Sequence, residues 1–322
     1  MPAFNVEKYI EEAVASVSAQ TFTDWELIIV DDGSTDSTAA IASRLAAADQ
    51  RIRLMSMPSP SGSAYQPRKT AIMAARADIV SPLDADDCIP SYCIGLMMEQ
   101  MKAEDADIVY PTMTDMATGK AITPTEDGIA DSIYAGREAM KLTLDGWRIN
   151  CNGGLIRREL YMQAYSEFDS TVRFVFADEL LSRQLLYAAR RVFISKAEYF
   201  FRRNPESVTH RRSGHLFDYI INDVEIDSFV SERYPDDREA RVLAQRQLFH
   251  GIFNAYRLLN RFSFSGADRD YALELIAEAK SHVDWDFVRP HVSPRYYAIL
   301  RNRLIPTAPA VRFVDFYRKL KK

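Results

Sequence analysis

Ala77-Asp78-Ile79-Val80-Ser81-Pro82-Leu83-Asp84-Ala85-Asp86-Asp87 is the stretch from which the rest of the chain is read. A short apolar run reads as a buried strand and ends in three carboxylates, Asp84, Asp86 and Asp87. In open α/β sheets, ligands bind beyond the carboxyl ends of the strands. Side chains of an extended segment alternate with period two, so Asp84 and Asp86 are expected on one side of the chain. Two hard oxygen donors so placed suit Mg²⁺ or Mn²⁺ carrying a diphosphate. An isolated Asp-x-Asp is also compatible with a solvated acidic turn. The flanking sequence has to decide between them.

Working outward toward the N-terminus, Trp25 to Val30 reads as a second strand, and it too runs into acids: Asp31-Asp32-Gly33-Ser34-Thr35-Asp36. Gly33 permits a tight turn, and Ser34 or Asp36 can cap a helix from about Thr38 to Ala48. Before it, Val6 to Gln20 has helical spacing at Ile10, Val14 and Val17, with Asn5 as a candidate cap. Arg51 to Met57 is a third strand, Pro58 to Gly62 a loop, and Pro67 to Arg76 a helix with proline near its first turn. Strand and helix therefore alternate through residue 87, the pattern of a parallel sheet covered by helices on both faces. The two acid-ended strands are expected to share that sheet, with their carboxyl ends on the same edge, so that Asp31, Asp32, Asp84 and Asp86 converge on one crevice. Like charges gathered this way are costly unless a metal, donors or a bound cation offset them.

Pro2-Ala3-Phe4-Asn5, Ser16 to Thr21, Trp25 to Asp36 and Leu83 to Asp87 together resemble the family 2 glycosyltransferases, in the family's order and spacing. That resemblance implies a nucleotide-diphospho-sugar transferase of GT-A fold: a Rossmann-like, mixed, mostly parallel sheet with helices on both faces, followed here by a helical C-terminal region. It implies that Phe4, Asp31 and Asp32 hold the nucleotide base, of uracil type. Arg68 approaches the nucleotide or its phosphates, Asp84 contacts the ribose, and Asp86 ligates the metal. An arginine in a first helical turn is equally able to pair with a surface acid. Family members usually begin with an apolar strand ending in Pro-x-Tyr/Phe-Asn. This chain starts at Met1-Pro2, so the strand is read as missing upstream of residue 1.

Downstream, a helix from about Ser91 to Ala103 precedes a strand from Asp105 to Met113, and residues 114–134 read as a loop with a hairpin possible at Thr118-Gly119. Ala135 to Leu144 is helical. The segment Trp147 to Arg158 contains a strand, and a helix begins near Glu159. Trp147 is a candidate sugar platform or a core residue. Phe174 to Leu181 brings an apolar run to the acid pair Asp178-Glu179 at the start of a helix. Transfer with inversion needs a carboxylate to take the proton from the attacking hydroxyl. The resemblance places the base here: Asp178, with Glu179 the second candidate and Ala177 in place of a first acid. Acids at this position also favour a helix N-terminus. Val192 to Phe201 is a strand. Arg202-Arg203-Asn204-Pro205-Glu206-Ser207-Val208-Thr209-His210 is similar to a segment of bacterial polysaccharide members of the family, with Arg202, Arg203 and Ser207 toward the diphosphate and His210 as a third metal ligand or a phosphate contact.

From Ser213 onward the pattern is helical: Leu216–Val230, Glu239–Leu259, Asp268–Ser281 and Tyr296–Leu304. The domain reading is a catalytic domain over 1–212, its donor half to about residue 90 and its acceptor half from 91, and a helical region over 213–322. The last segment is basic and aromatic (Arg295, Arg301, Arg303, Arg312, Phe313, Phe316, Tyr317, Arg318, Lys319) and is suited to an anionic inner membrane surface or to packing on the domain.

The 322 residues, 47% hydrophobic and 26% charged with net charge −5, are those of an ordinary globular chain and argue against a nucleic-acid binder. Cys88, Cys93 and Cys151 lack paired metal spacing and read as buried cytoplasmic thiols. No run of about 18 apolar residues or leader peptide is apparent. The combined expectation is an inverting glycosyltransferase using a UDP-linked sugar with Mn²⁺ or Mg²⁺, acting on a glycan acceptor that is lipid-linked in surface or exopolysaccharide synthesis. The alternatives are an inactive glycosyltransferase-like scaffold, favoured by the missing strand and Ala177, and a metal-dependent nucleotidyltransferase, which lacks support from any Gly-rich phosphate loop.

Overall fold

The computed structural model describes residues 1–123, 130–146, 152–167, 177–204 and 213–301. The chain divides into two compact units, Met1–Arg173 with Ala177–Pro205 and Phe174–Phe176 with Glu206–Lys322.

The first unit opens with β1 (Pro2–Ala3), α1 (Ile10–Ser18), β2 (Leu27–Asp31), α2 (Thr38–Ala48), β3 (Ile52–Ser56) and α3 (Tyr65–Ala74). β1, β2 and β3 form a parallel sheet in that order, with Ala3 opposite Asp31 and Asp31 opposite Ser56. Every residue of β2 is buried. Leu27 and Ile29 join the core that contains Ile10, Val14 and Ala42 of α1 and α2, while Ile28 and Val30 face Ala71 of α3. Burial on both faces is why this strand reads as an unbroken apolar run. The two residues of β1 pair with β2, and that pairing is flanked by bonds from the Met1 amine to the Ile28 carbonyl (2.9 Å) and from the Asp32 amide to the Ala3 carbonyl (2.8 Å).

The unit continues with β4 (Ile79–Val80), α4 (Cys93–Ala103), β5 (Ile108–Asp115), β6 (Ala121–Thr123), β7 (Ser132–Ala135), α5 (Gly136–Leu144), β8 (Leu155–Arg157), α6 (Arg158–Glu167), α7 (Ala177–Ala188) and β9 (Arg191–Phe201). The second sheet runs β4-β8-β5-β9-β7, with β6 on β5. Among the described residues of this sheet only β5 and β9 pair in parallel; the other pairings are antiparallel. The two acid-ended strands therefore lie in separate hydrogen-bonded sheets rather than in one. The reason is local: β4 is two residues long and pairs with β8, and beyond it the Pro82 carbonyl accepts from the Gly153 amide at 2.6 Å. A shared core still joins them, since Ala3 and Leu27 pack in the same cluster as Leu83, Ala85, Val109, Leu155 and Tyr199. The expected hairpin is β5–β6, turning through Gly119 at φ 64°. The strand β7 was hidden in what read as a loop; its sequence, Ser-Ile-Tyr-Ala, is too short to show a period.

The second unit holds α8 (Tyr219–Arg233), α9 (Arg238–Arg261), α10 (Gly266–His282), α11 (Trp285–Val288) and α12 (Pro294–Arg301) around Phe217, Leu248, Phe249, Ile252 and Ile276. Asp237, Ser265 and Asp284 cap the helices that follow them by accepting first-turn amides. Among the described residues no helix is long and apolar enough to cross a membrane. Cys88 and Cys93 are buried and free, while Cys151, Trp147 and the tail from residue 302 lie outside the described residues.

Candidate active site

Two neighbouring loops after β1 and β2 build the first part of the site. Gly33 takes φ 76°, and a Cβ there would stand 2.9 Å from Pro60, so this turn and the 58–62 loop close on each other only around glycine. Asp32 clamps that loop, accepting from the Ser61 amide (2.9 Å) and hydroxyl (2.8 Å); burial raises its carboxyl above the ordinary range against these bonds. Asp31, also buried, accepts from the Ser34 amide at 3.3 Å. Asn5 does not cap α1. It adopts φ 52° and its side-chain oxygen accepts from the Thr35 amide at 2.8 Å, tying the end of β1 to the acidic turn. Asp36 takes the Thr38 amide at the start of α2. Phe4 sits half-buried at the end of β1 beside these loops.

Residues 83–87 alternate as expected, Leu83 and Ala85 buried and Asp84 and Asp86 partly exposed. They do so through a turn rather than an extended chain, because the Asp87 amide bonds back to the Asp84 carbonyl at 3.1 Å. Each carboxylate then has its own partner. Asp84 lies between Arg68, which donates from Nη2 to Oδ1 at 3.1 Å, and Asn152, which donates from Nδ2 to Oδ2 at 2.6 Å. Asn204 donates to Asp86 Oδ2 at 2.9 Å. Buried Asp87 accepts from the Tyr199 hydroxyl at 2.6 Å and the Arg202 amide at 2.7 Å. Burial and then the Asp84 charge push both the Asp86 and Asp87 carboxyls upward, Asp87 the more strongly. The chain thus brings more negative charge here than it offsets.

Asp178 and Glu179 stand in the first turn of α7. Burial raises the Asp178 carboxyl to about 6; the Arg68 guanidinium opposes this, and Glu179 and Asp84 add to it. Asp178 is therefore within electrostatic reach of the Arg68–Asp84 pair. Glu179 points to Arg183, at 3.6 Å, and remains 45% exposed. Arg68 is itself 4% exposed, which places it in this cluster rather than on the surface. Arg202 sends Nε to the Asp86 carbonyl (2.8 Å) and its outer nitrogen to Glu12, and Arg203 pairs with Asp115. In this structure both arginines brace the segment after β9. Ser207 and His210 lie outside the described residues.

Among the described residues no three His, Cys, Asp or Glu side chains form a ready metal cage. The donors present nonetheless fit a divalent cation shared with a diphosphate. They are hard carboxylate oxygens gathered closely, and Mg²⁺ in particular is held by one or two carboxylates with phosphate and water making up the rest. Asn152, Tyr199 and Asn204 are the partners that reading along the chain missed. The one local signal was Asn152-Gly153-Gly154: Gly153 takes φ 75°, and a Cβ there would meet the Tyr199 ring at 2.3 Å.

Comparison with known proteins bears on the family and the fold. The chain is 28% identical to glycosyltransferase GlyG of Streptococcus pneumoniae over 65% of this chain and 71% of that protein. It is 30% identical to EpsJ of Bacillus subtilis, an uncharacterized glycosyltransferase, over 65% of this chain and 61% of that one. The crystal structure of S. aureus TarS residues 1–349 in complex with UDP-GlcNAc superposes with a TM-score of 0.74 at 18% identity, covering 99% of this chain and 90% of that 1–349 fragment, and shows that the fold is shared. The sequence profile of glycosyl transferase family 2 matches residues 1–163, half of the chain and all of the loops that gather Asp31, Asp84 and Asp86, and the chain belongs to that family.

Proposed function

We propose that this chain is an inverting glycosyltransferase that moves a sugar from a UDP-linked donor to a hydroxyl of a glycan acceptor in bacterial surface polysaccharide synthesis, with a lipid-linked acceptor handled on the cytoplasmic side of the membrane. The observation that carries the reading is Asp178: a carboxylate at a helix start, tuned to about 6, beside the Arg68–Asp84 pair. A base whose pKa lies just below neutrality is ionised at working pH yet still takes a proton well.

Each residue then has a task. Phe4, Asp31 and Asp32 line the loops for the uracil base, and Asp84 meets the ribose. Asp86 and, from the segment outside the described residues, His210 would hold Mn²⁺ or Mg²⁺. Bound there, the ion supplies positive charge to the departing diphosphate. Arg202, Arg203 and Ser207 belong to the segment that would approach the phosphates. Asp178 accepts the proton of the acceptor hydroxyl as its oxygen attacks the anomeric carbon from the face opposite the diphosphate, which inverts that centre. Arg68 pairs with Asp84 and opposes the rise that burial imposes on the Asp178 carboxyl.

The support for a UDP donor is the shared fold with TarS, whose structure holds UDP-GlcNAc, together with the acidic loops described above. Calorimetric titration of UDP with and without Mn²⁺ tests the donor site. Metal-enhanced binding is expected, and a folded protein that binds no UDP under either condition refutes the reading. The domain reading, catalytic over 1–212 and helical over 213–322, is tested by limited proteolysis. A stable fragment ending near residue 212 is expected, and cleavage first within 1–200 overturns it.

A further inference from the structure

Asp84 and Asp86 each have one buried neutral partner, Asp84 in addition to its pair with Arg68. Asn152 is 8% exposed and Asn204 is 6% exposed, and each gives its amide to one carboxylate: Asn152 to Asp84 and Asn204 to Asp86. A carboxylate only accepts, so the amide nitrogen must face it and the asparagine orientation is fixed by chemistry. A lysine or arginine in place of Asn204 would cancel the Asp86 charge that attracts a cation, and one in place of Asn152 would add a second cation to the Arg68–Asp84 pair. An amide holds the oxygen in place and leaves the charge.

The two amides sit on different elements. Asn152 begins the turn into β8, and that turn is locked on the Asp84 segment. The Gly153 amide bonds to Pro82, and the bare Gly153 Cα rests on the Tyr199 ring, whose hydroxyl bonds to Asp87 and also lies 3.4 Å from the Asp84 amide. Asn204 follows β9, next to Arg202, whose guanidinium holds the Asp86 carbonyl. One clamp therefore acts from the β8 side and one from the β9 side.

We propose that Asn152 and Asn204 are positioning residues with separate tasks: Asn152 presents Asp84 to the nucleoside, and Asn204 presents Asp86 to the divalent cation. The inference rests on the reading of Asp84 and Asp86 given above. Its test is calorimetry with uridine and with UDP, the latter with and without Mn²⁺, on the full chain and on N152A, N204A, D84N and D84N/N152A, with thermal melts on each.

Hydrogen bonds to charged groups are strong enough that losing one is expected to change affinity about tenfold. N152A is expected to weaken uridine about tenfold and to keep the increment that Mn²⁺ adds to UDP. N204A is expected to lose about tenfold of that increment. D84N/N152A is expected to bind uridine no more weakly than D84N, because the amide acts through the carboxylate. Equal losses of uridine affinity and of the Mn²⁺ increment in both asparagine variants, tracking a fall in melting temperature, overturn the proposal, as does full additivity in the double variant. Wild-type protein that binds UDP while neither asparagine variant changes it overturns this inference alone. Wild-type protein that binds neither uridine nor UDP overturns the site reading and this inference with it.

Discussion

Replacing Asp178 by Asn separates catalysis from stability in opposite directions. The carboxyl sits at about 6 in the folded chain against an ordinary value of 3.8, chiefly because burial disfavours its charged form. A raised carboxyl binds its proton more tightly when folded than when unfolded. Below about pH 3.8 both states are protonated and nothing is lost. Between there and about 6 the unfolded chain ionises first, and above 6 the folded state carries the whole penalty. At 1.36 kcal/mol per unit the difference amounts to at most about 3 kcal/mol, an upper figure because Asp178 keeps some contact with solvent. Asn carries no charge and avoids that penalty. The variant is expected to be more stable than wild type at pH 7.5 by about 1–3 kcal/mol and to show no advantage at pH 3.5, read from urea unfolding at both pH values. In the same protein, sugar transfer should fall by about 10²–10⁴-fold, the usual worth of a positioned base. Wild-type transfer should drop about tenfold from its plateau by pH 5, where about one-tenth of a group titrating near 6 is ionised. UDP affinity followed over the same range separates loss of the base from loss of the donor site. A variant that is less stable at pH 7.5, or one that transfers at the wild-type rate, refutes the assignment and moves the base to Glu179.

Other perturbations test the supports around it. Arg68→Met leaves Asp84 without its cation and is expected to cost roughly 2–3 kcal/mol in urea unfolding, less than for a fully buried pair because Asp84 is 28% exposed. The same change removes the attraction that lowers the Asp178 carboxyl, so the acid limb of transfer should move to higher pH. Gly153→Ala places a Cβ 2.3 Å from the Tyr199 ring at a φ of 75°, and a loss of about 1–3 kcal/mol in denaturant stability is expected. Asp86→Ala should abolish most of the gain in UDP affinity that Mn²⁺ confers on the wild type, and EDTA should reproduce that loss without mutation; an unchanged Mn²⁺ effect in the variant removes Asp86 from the metal role.

Much of the fold was legible because it is written locally. Leu27 to Val30 could be read as a doubly buried strand from its unbroken apolar run, and Gly33 as a turn because the acids around it stop a strand. The helices from α1 through α10 follow apolar spacing that one turn of sequence displays. What failed was pairing. Nothing in Ile79-Val80 says that its partner is Ile156-Arg157 rather than the strand before it, because a two-residue ladder carries no pattern long enough to specify register. The cap assigned to Asn5 failed for a related reason. An asparagine before a helix can serve the helix or a distant loop, and here the Thr35 amide, thirty residues away, competes for it.

The carboxylates could be read from the sequence and their partners could not, and the two facts have one cause. Acids after an apolar strand are conspicuous because burial makes charge expensive, so their clustering calls for an explanation. Asn152, Tyr199 and Asn204 are ordinary residues on their own segments, and they act only when folding brings them 68, 112 and 118 positions back along the chain. Neutral partners are the harder kind to foresee. Arg68 is singled out by its place in the family motif, and an arginine opposite an acid can also be guessed from charge balance, whereas an amide leaves the balance unchanged. Yet a site that must take up a divalent cation and a diphosphate needs its carboxylates aimed and still charged. Asn152 on Asp84 and Asn204 on Asp86 supply that aim without adding positive charge, and this geometry is what identifies the amides as positioning groups rather than as fillers of a polar core.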